Sequence, residues 1–162
     1  MASIQSQLED YLIAGQAHFY RLAYSYLKNR DDSLDAVQTA VCRAIERSNT
    51  LRDSAMLRSW FTRILINTCL DQLRQRSRVT PADPETLDVG SCEDPLPSDG
   101  LLTSRVNALP LEEQTVVKLR FYEDFTLREI SEATGTNLST VKTRLYTALK
   151  RLRIALEGVS FE

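Results

Sequence analysis

Glycine and proline are scarce, five of each in 162 residues. That leaves too few turn-formers for a fold of short strands and tight hairpins. No window approaches 18 consecutive uncharged apolar residues, so no membrane span is expected. The opening MASIQSQLEDYLIAG has no basic n-region and no apolar run of signal-peptide length, which predicts a cytoplasmic protein. Histidine occurs once, at His18, beside Phe19 and Tyr20 in a helical pattern that suits packing or the surface. Cys42, Cys69 and Cys92 are odd in number, far apart and without a C-x-x-C pair. Together with one histidine they offer too few ligands for a zinc site and read as buried or free thiols in a reducing compartment. G-x-S-x-G and glycine-rich phosphate-cradling motifs are missing, and the acidic residues lack calcium-loop spacing. An enzyme, a metal, a cofactor and a small-molecule substrate are all unexpected.

What is present is a globular composition, 43% apolar and 26% charged. The net charge of -2 conceals an asymmetry. Residues 1–76 carry 10 basic and 8 acidic side chains, 77–104 carry 1 and 6, and 105–162 carry 9 and 8. The acidic middle segment also holds four of the five prolines, each of which removes a helix donor and pushes its predecessor toward extended backbone. The expected fold is all-α: two small helical domains, 1–76 and 105–162, joined by a flexible acidic linker at 77–104, with a helix-turn-helix at the C-terminal end.

Helical spacing of Leu12, Phe19, Leu22, Ala23, Tyr26 and Leu27 opens the first domain. Asp32 or Ser33 is expected to cap a helix running to about Arg47. After the polar loop at 47–54, a helix from about Ala55 to Arg76 is expected to bury Leu57, Trp60, Phe61, Ile64, Leu65 and Thr68. Its other side shows Arg63, Asn67, Asp71 and Arg74 at four-, four- and three-residue steps. In the second domain Pro110, Glu112 and Glu113 suit a helix start. Thr126 and Glu129 form a T-x-x-E capping box, Gly135 ends that helix, and Asn137 caps the next.

That last helix lies in TGTNLSTVKTRLYTALKRLR, with five Lys or Arg and no acid in 20 residues. Leu138, Val141, Leu145, Leu149 and Leu152 form its expected buried stripe. Most basic helix faces merely meet water, but solvated helices usually mix signs, because opposite charges four apart stabilise and like charges repel. The short hydroxyl side chains also permit close approach to phosphates. The pattern points to DNA binding.

The stretch ALPLEEQTVVKLRFYEDFTLREISEATGTNLSTVKTRLYTALKRLR closely resembles region four of the extracytoplasmic-function sigma factors, small bacterial RNA polymerase specificity subunits. Its hallmark is TVKTRL after an EI…G scaffold helix. Upstream, DDSLDAVQTAV and SWFTRILINTCLDQLR resemble that family's region two. The resemblance covers roughly residues 17–76 and 105–155, and its phrasing looks nearest to the SigV-type envelope-stress group of Gram-positive bacteria.

The resemblance implies a cytoplasmic polymerase subunit that binds core RNA polymerase and promoter DNA. A membrane-bound anti-sigma factor would hold it inactive until a stress response calls for it, possession of such a partner being usual in the family. It assigns upstream-element contacts to Asn137, Ser139, Thr140, Lys142, Thr143, Tyr146 and Thr147, with Arg144 on the flank touching phosphate or making an internal ion pair. Thr115 and Thr147 stand where the family often has arginine. The loop Ser48–Asp53, with Asn49 and Arg52, matches the base-capturing loop of the downstream element. Asn67 matches a position near the promoter bases, and Arg63 and Arg74 would hold the strand backbone. Asp35 and Gln38 match the polymerase-docking signature, with Leu34 where a glutamate is usual. Extended at about 3.3 Å per residue, roughly 26 residues of the linker reach at most about 85–90 Å. Promoter elements one and a half turns apart are separated by ~50 Å. The competing reading is a dimeric helix-turn-helix regulator that acts on palindromic sites without being a polymerase subunit.

Overall fold

In a computed structural model of the chain, which describes residues 3–79 and 100–157, the Ser3 hydroxyl accepts the Ser6 amide at 3.1 Å and starts α1 (Ile4–Ala14). Gly15 separates α1 from α2 (Gln16–Leu27), and the Phe19 ring lies directly over it. A Cβ at Gly15 would sit 2.5 Å from Phe19 Cζ, so glycine here permits a close approach. Lys28, at φ 57°, turns the chain into α3 (Arg30–Glu46).

The cap of α3 is Asn29, not Asp32 or Ser33. Leaving left-handed Lys28, Asn29 is already extended, and its side chain accepts the Asp32 amide at 2.8 Å. Asp31 and Asp32 then occupy the first turn, where the helix dipole favours them. Ala36, Ala40 and Ala44, all fully buried at four-residue spacing, give α3 a flat face. That face lets α2 and α4 (Leu57–Val79) approach closely. The core includes Phe19, Leu22, Tyr26, Phe61 and Leu65, with the Phe19 and Phe61 rings 4.6 Å apart. Arg76 locks the end of α4 to the other two helices, donating to the Leu27 carbonyl at 3.3 Å and pairing with Asp32. The helix continues three residues beyond the expected end at Arg76, since the first proline comes only at position 81.

The chain divides into two units, Met1–Pro97 and Ser98–Glu162. The second unit contains α5 (Gly100–Asn107), α6 (Leu111–Val117), α7 (Leu127–Thr134) and α8 (Leu138–Glu157). Helix α5 starts inside the stretch read as linker, because Val106 and Leu109 pack in one cluster with Val117, Ala148 and Leu152. The rest of that acidic stretch, 80–99, lies outside the described residues.

Every side chain from Glu113 to Leu119 is buried, and α6 runs on into a π-helical turn at Lys118–Tyr122. Gln114 satisfies buried polar groups there. Its amide donates to the carbonyls of Asn107 (3.1 Å) and Leu109 (2.9 Å), and its oxygen accepts from Lys118 Nζ at 3.0 Å.

The T-x-x-E box forms as its residues dictate: Thr126 accepts the Glu129 amide at 3.1 Å and Glu129 accepts the Thr126 amide at 2.8 Å. Gly135 ends α7 at φ 68°, and the Asn137 carbonyl accepts the Val141 amide at 3.0 Å in the first turn of α8. Together α7 and α8 make the helix-turn-helix. The buried stripe of α8 differs in two places: Leu138 is only half-buried, and Ala148 is fully buried whereas Leu149 is 38% exposed. At 100° per residue, Leu149 falls roughly 60° from the centre of the stripe set by Val141, Leu145 and Leu152.

Candidate nucleic-acid and polymerase interfaces

The outer face of α8 presents Ser139, Lys142, Thr143, Tyr146 and Lys150, with Asn137 exposed just ahead of it. Tyr146 is 65% exposed. Thr140 and Thr147 lie half-buried at the margins of this face. The Thr143 hydroxyl donates to the Ser139 carbonyl at 3.0 Å, which fixes its rotamer and leaves its oxygen as an outward acceptor.

The acids missing from the basic stretch of α8 come from α6. Arg144 lies 3.6 Å from Glu112, and Arg151 3.1 Å from Glu113. Glu113 Oε1 is within ion-pair range of Arg151 but off the axis of a hydrogen bond. Of the α8 cations, Lys142 and Lys150 thus stand clear on the outer face, while Arg144 is occupied sideways. Thr115 is 4% exposed, a packing position inside the unit rather than a surface one.

In the first unit, Arg63 and Asn67 project from α4 into solvent one turn apart. Arg74, two turns on, is exposed but donates to Asp71 at 3.1 Å. Asp71 also faces Arg43 of α3 at 3.5 Å, and Arg43 donates to the Thr68 hydroxyl at 2.9 Å. Arg74 is therefore part of a structural network, while Arg63 and Asn67 have no hydrogen bond or ion pair among the described residues.

Between α3 and α4 the chain forms two 3-10 turns, Ser48–Thr50 and Ser54–Met56. Asn49 and Arg52 are both exposed there, and Leu51 between them is buried. Trp60, expected in the core with Phe61, is only half-buried, and its indole N–H donates to the Thr50 hydroxyl at 3.1 Å. Phe61 is fully buried. On the outer side of α3, Asp35 and Gln38 are exposed three residues apart beside Leu34, itself 41% exposed. Gln72 of α4 donates to Asp35 at 3.1 Å.

Cys42 is exposed and Cys69 buried, and neither is in a disulfide. Among the described residues no three His, Cys, Asp or Glu side chains gather as metal ligands, and no helix is long and apolar enough to cross a membrane. Sequence reasoning missed the Trp60–Thr50 bond, the Arg43 network and the Gln114–Lys118 pair. The first two join separate elements through packing, which no spacing rule signals, whereas the Gln114–Lys118 pair has the four-residue helical spacing that could have found it.

Two helical units in this order, the second closing on a helix-turn-helix, define a sigma-70-type protein. The family models for sigma-70 region 2 and sigma-70 region 4 match residues 14–79 and 99–152. RNA polymerase sigma factor SigV of Bacillus subtilis strain 168 is 43% identical, over 85% of this chain and 84% of its own length. ECF RNA polymerase sigma factor SigE of Mycolicibacterium smegmatis is 33% identical, over 88% of this chain and 59% of its own. Among solved structures, the sigma factor RpoE of Bartonella quintana in complex with the anti-sigma factor NepR matches the fold with a TM-score of 0.73 at 21% identity, covering 92% of this chain and 96% of that one. CnrH in complex with the cytosolic domain of CnrY does so with a TM-score of 0.67 at 17% identity, covering 94% and 89%. The chain belongs to the extracytoplasmic-function sigma factors of the sigma-70 family, RNA polymerase subunits for transcription initiation and not enzymes. The reading as a dimeric regulator independent of polymerase falls with that membership.

Proposed function

We propose that this sigma factor brings core RNA polymerase to promoters with two separated elements, residues 1–76 serving polymerase and the downstream element and residues 105–162 the upstream element. The observation that carries this reading is the outer face of α8, where Ser139, Lys142, Thr143 and Tyr146 form an exposed row and no acid occurs on the helix before Glu157. Such a row fits the major groove, with Lys142 donating to a guanine edge or a phosphate and the hydroxyls serving either. Asn137, Thr140, Arg144 and Thr147 border it. In the first unit, Asn49 and Arg52 on the loop and Arg63 and Asn67 on α4 supply polar side chains for an unpaired strand, with Arg74 beside them. Asp35 and Gln38, with exposed Leu34, make a mixed polar and apolar docking surface for polymerase. The linker at 77–104 tethers the two halves, so two weak contacts gain effective concentration on one scaffold.

Control by an anti-sigma factor belongs to the same proposal, the partner being membrane-bound and released in a stress response. The fold likeness to RpoE with NepR and CnrH with the cytosolic domain of CnrY supports it. The deciding experiment is run-off transcription with purified core polymerase on a promoter library, with and without the protein. New start sites behind a shared two-part motif are expected; transcription unchanged by the protein would refute the reading.

A further inference from the structure

We infer that Trp60 is a positioning residue for promoter opening: its indole N–H, through the Thr50 hydroxyl, holds the Ser48–Asp53 loop against α4 in the shape that receives an unpaired base. This rests on reading that loop as the base-capturing element of the proposed function.

The loop is pinned at several points and open at two. Thr50 Oγ1 accepts from Trp60 Nε1 at 3.1 Å and donates to the Arg47 carbonyl at 2.7 Å. The hydroxyl thus both accepts and donates within the protein although Thr50 itself is exposed. Leu51 is 5% exposed and anchors the next residue in the core. Asp53 accepts the Ala55 amide at 3.0 Å and fixes the exit. Between these anchors, Asn49 and Arg52 are exposed and make no hydrogen bond or ion pair among the described residues. The backbone is held while two polar side chains remain available.

Helical spacing gives Trp60 a second consequence. Residues 60, 63 and 67 follow one another at three and four residues, so Trp60, Arg63 and Asn67 share one side of α4. A bond from Trp60 to Thr50 therefore ties the loop to the same side that carries Arg63 and Asn67. Indole N–H is a donor only, and phenylalanine keeps an apolar ring while losing the donor. Extracting a base costs a few kcal/mol, and a loop already ordered loses less entropy when it captures that base.

The test uses holoenzyme assembled from core polymerase and full-length protein on a responsive promoter. Opening rate is followed by permanganate reactivity of unpaired thymines, and closed-complex occupancy is measured separately at low temperature. Trp60→Phe and Thr50→Val are expected to slow opening about two- to tenfold, the range one neutral hydrogen bond supplies, with closed-complex occupancy unchanged. The double variant should open no more slowly than either single one, and Thr50→Ser, which keeps the hydroxyl, should restore the rate. A purely structural defect would lower occupancy and opening together and overturn the inference. So would slow opening in Trp60→Phe with normal opening in Thr50→Val. If Asn49→Ala and Arg52→Ala slow opening while Trp60→Phe and Thr50→Val do not, the loop reading stands and the positioning role fails. If none of the four slows it, the loop reading fails and takes the inference with it.

Discussion

Arg144 of α8 and Glu112 of α6 are 3.6 Å apart, so the arginine flanking the exposed row of α8 has its charge answered from within the protein. Its side chain is 27% exposed while that of Glu112 is 70% exposed, which places the pair at the rim of that outer face. An arginine held this way contributes less to phosphate binding than its position in the helix implies. Glu112→Gln should release it. Promoter binding by holoenzyme should tighten by at most about fivefold, the upper range for an exposed ion pair. The dependence of log K on log salt should steepen by about 0.9, one more phosphate neutralised. Binding isotherms across a salt series read both numbers.

Lys142 and Asn67 should separate the two halves of promoter use. Lys142→Ala is expected to weaken closed-complex binding by about 1–3 kcal/mol if it reads a base edge, and to relax preference at one upstream position. Asn67→Ala should leave closed-complex binding intact and reduce opening. Footprinting before and after opening distinguishes them, and equal loss of both steps in either variant would contradict the division of labour.

Gln114 holds the second unit together from inside. Replacing it with leucine keeps most of the volume but leaves the Asn107 and Leu109 carbonyls without the donors it supplies, and removes an acceptor from the buried Lys118 amine. Gln114→Leu should destabilise by about 2–4 kcal/mol, because buried polar groups that lose partners keep their full desolvation penalty. Denaturant unfolding monitored by far-UV circular dichroism measures it.

Gly15→Ala should also destabilise, through crowding rather than lost bonds. The new methyl meets a Phe19 ring already stacked against Phe61 and Tyr11, which cannot move aside freely. A cost of about 1–3 kcal/mol is expected for such overpacking. Gly15→Ala combined with Phe19→Leu should lose less than the sum of the two, which thermal melts can test.

Much of the fold was readable because it depends on neighbours in sequence. The Thr126–Glu129 box, the Gly135 stop and the proline-rich break each act within four residues, and their chemistry is visible in the letters. The outward side of α8 followed from the helical spacing of Val141, Leu145 and Leu152, which are buried opposite it. The cap of α3 was misplaced because Lys28 adopts a left-handed turn that no local pattern announces, which shifts the start back to Asn29. Leu149 was read as buried because a leucine at the stripe's edge looks like one at its centre. The Arg144–Glu112 pair and the Trp60–Thr50 bond join different elements or distant turns, so they depend on packing. Arg74 differs: Asp71 engages it from three residues back on α4, a pairing their spacing allowed.

The Trp60 contact has one more consequence, an optical one. The chain has a single tryptophan, and that residue touches the loop beside Asn49 and Arg52. Its intrinsic emission is thus a label already installed at the proposed site of base capture. Unmodified protein titrated with short single-stranded oligonucleotides reports on this loop alone, with no dye, no engineered cysteine and no background from a second indole.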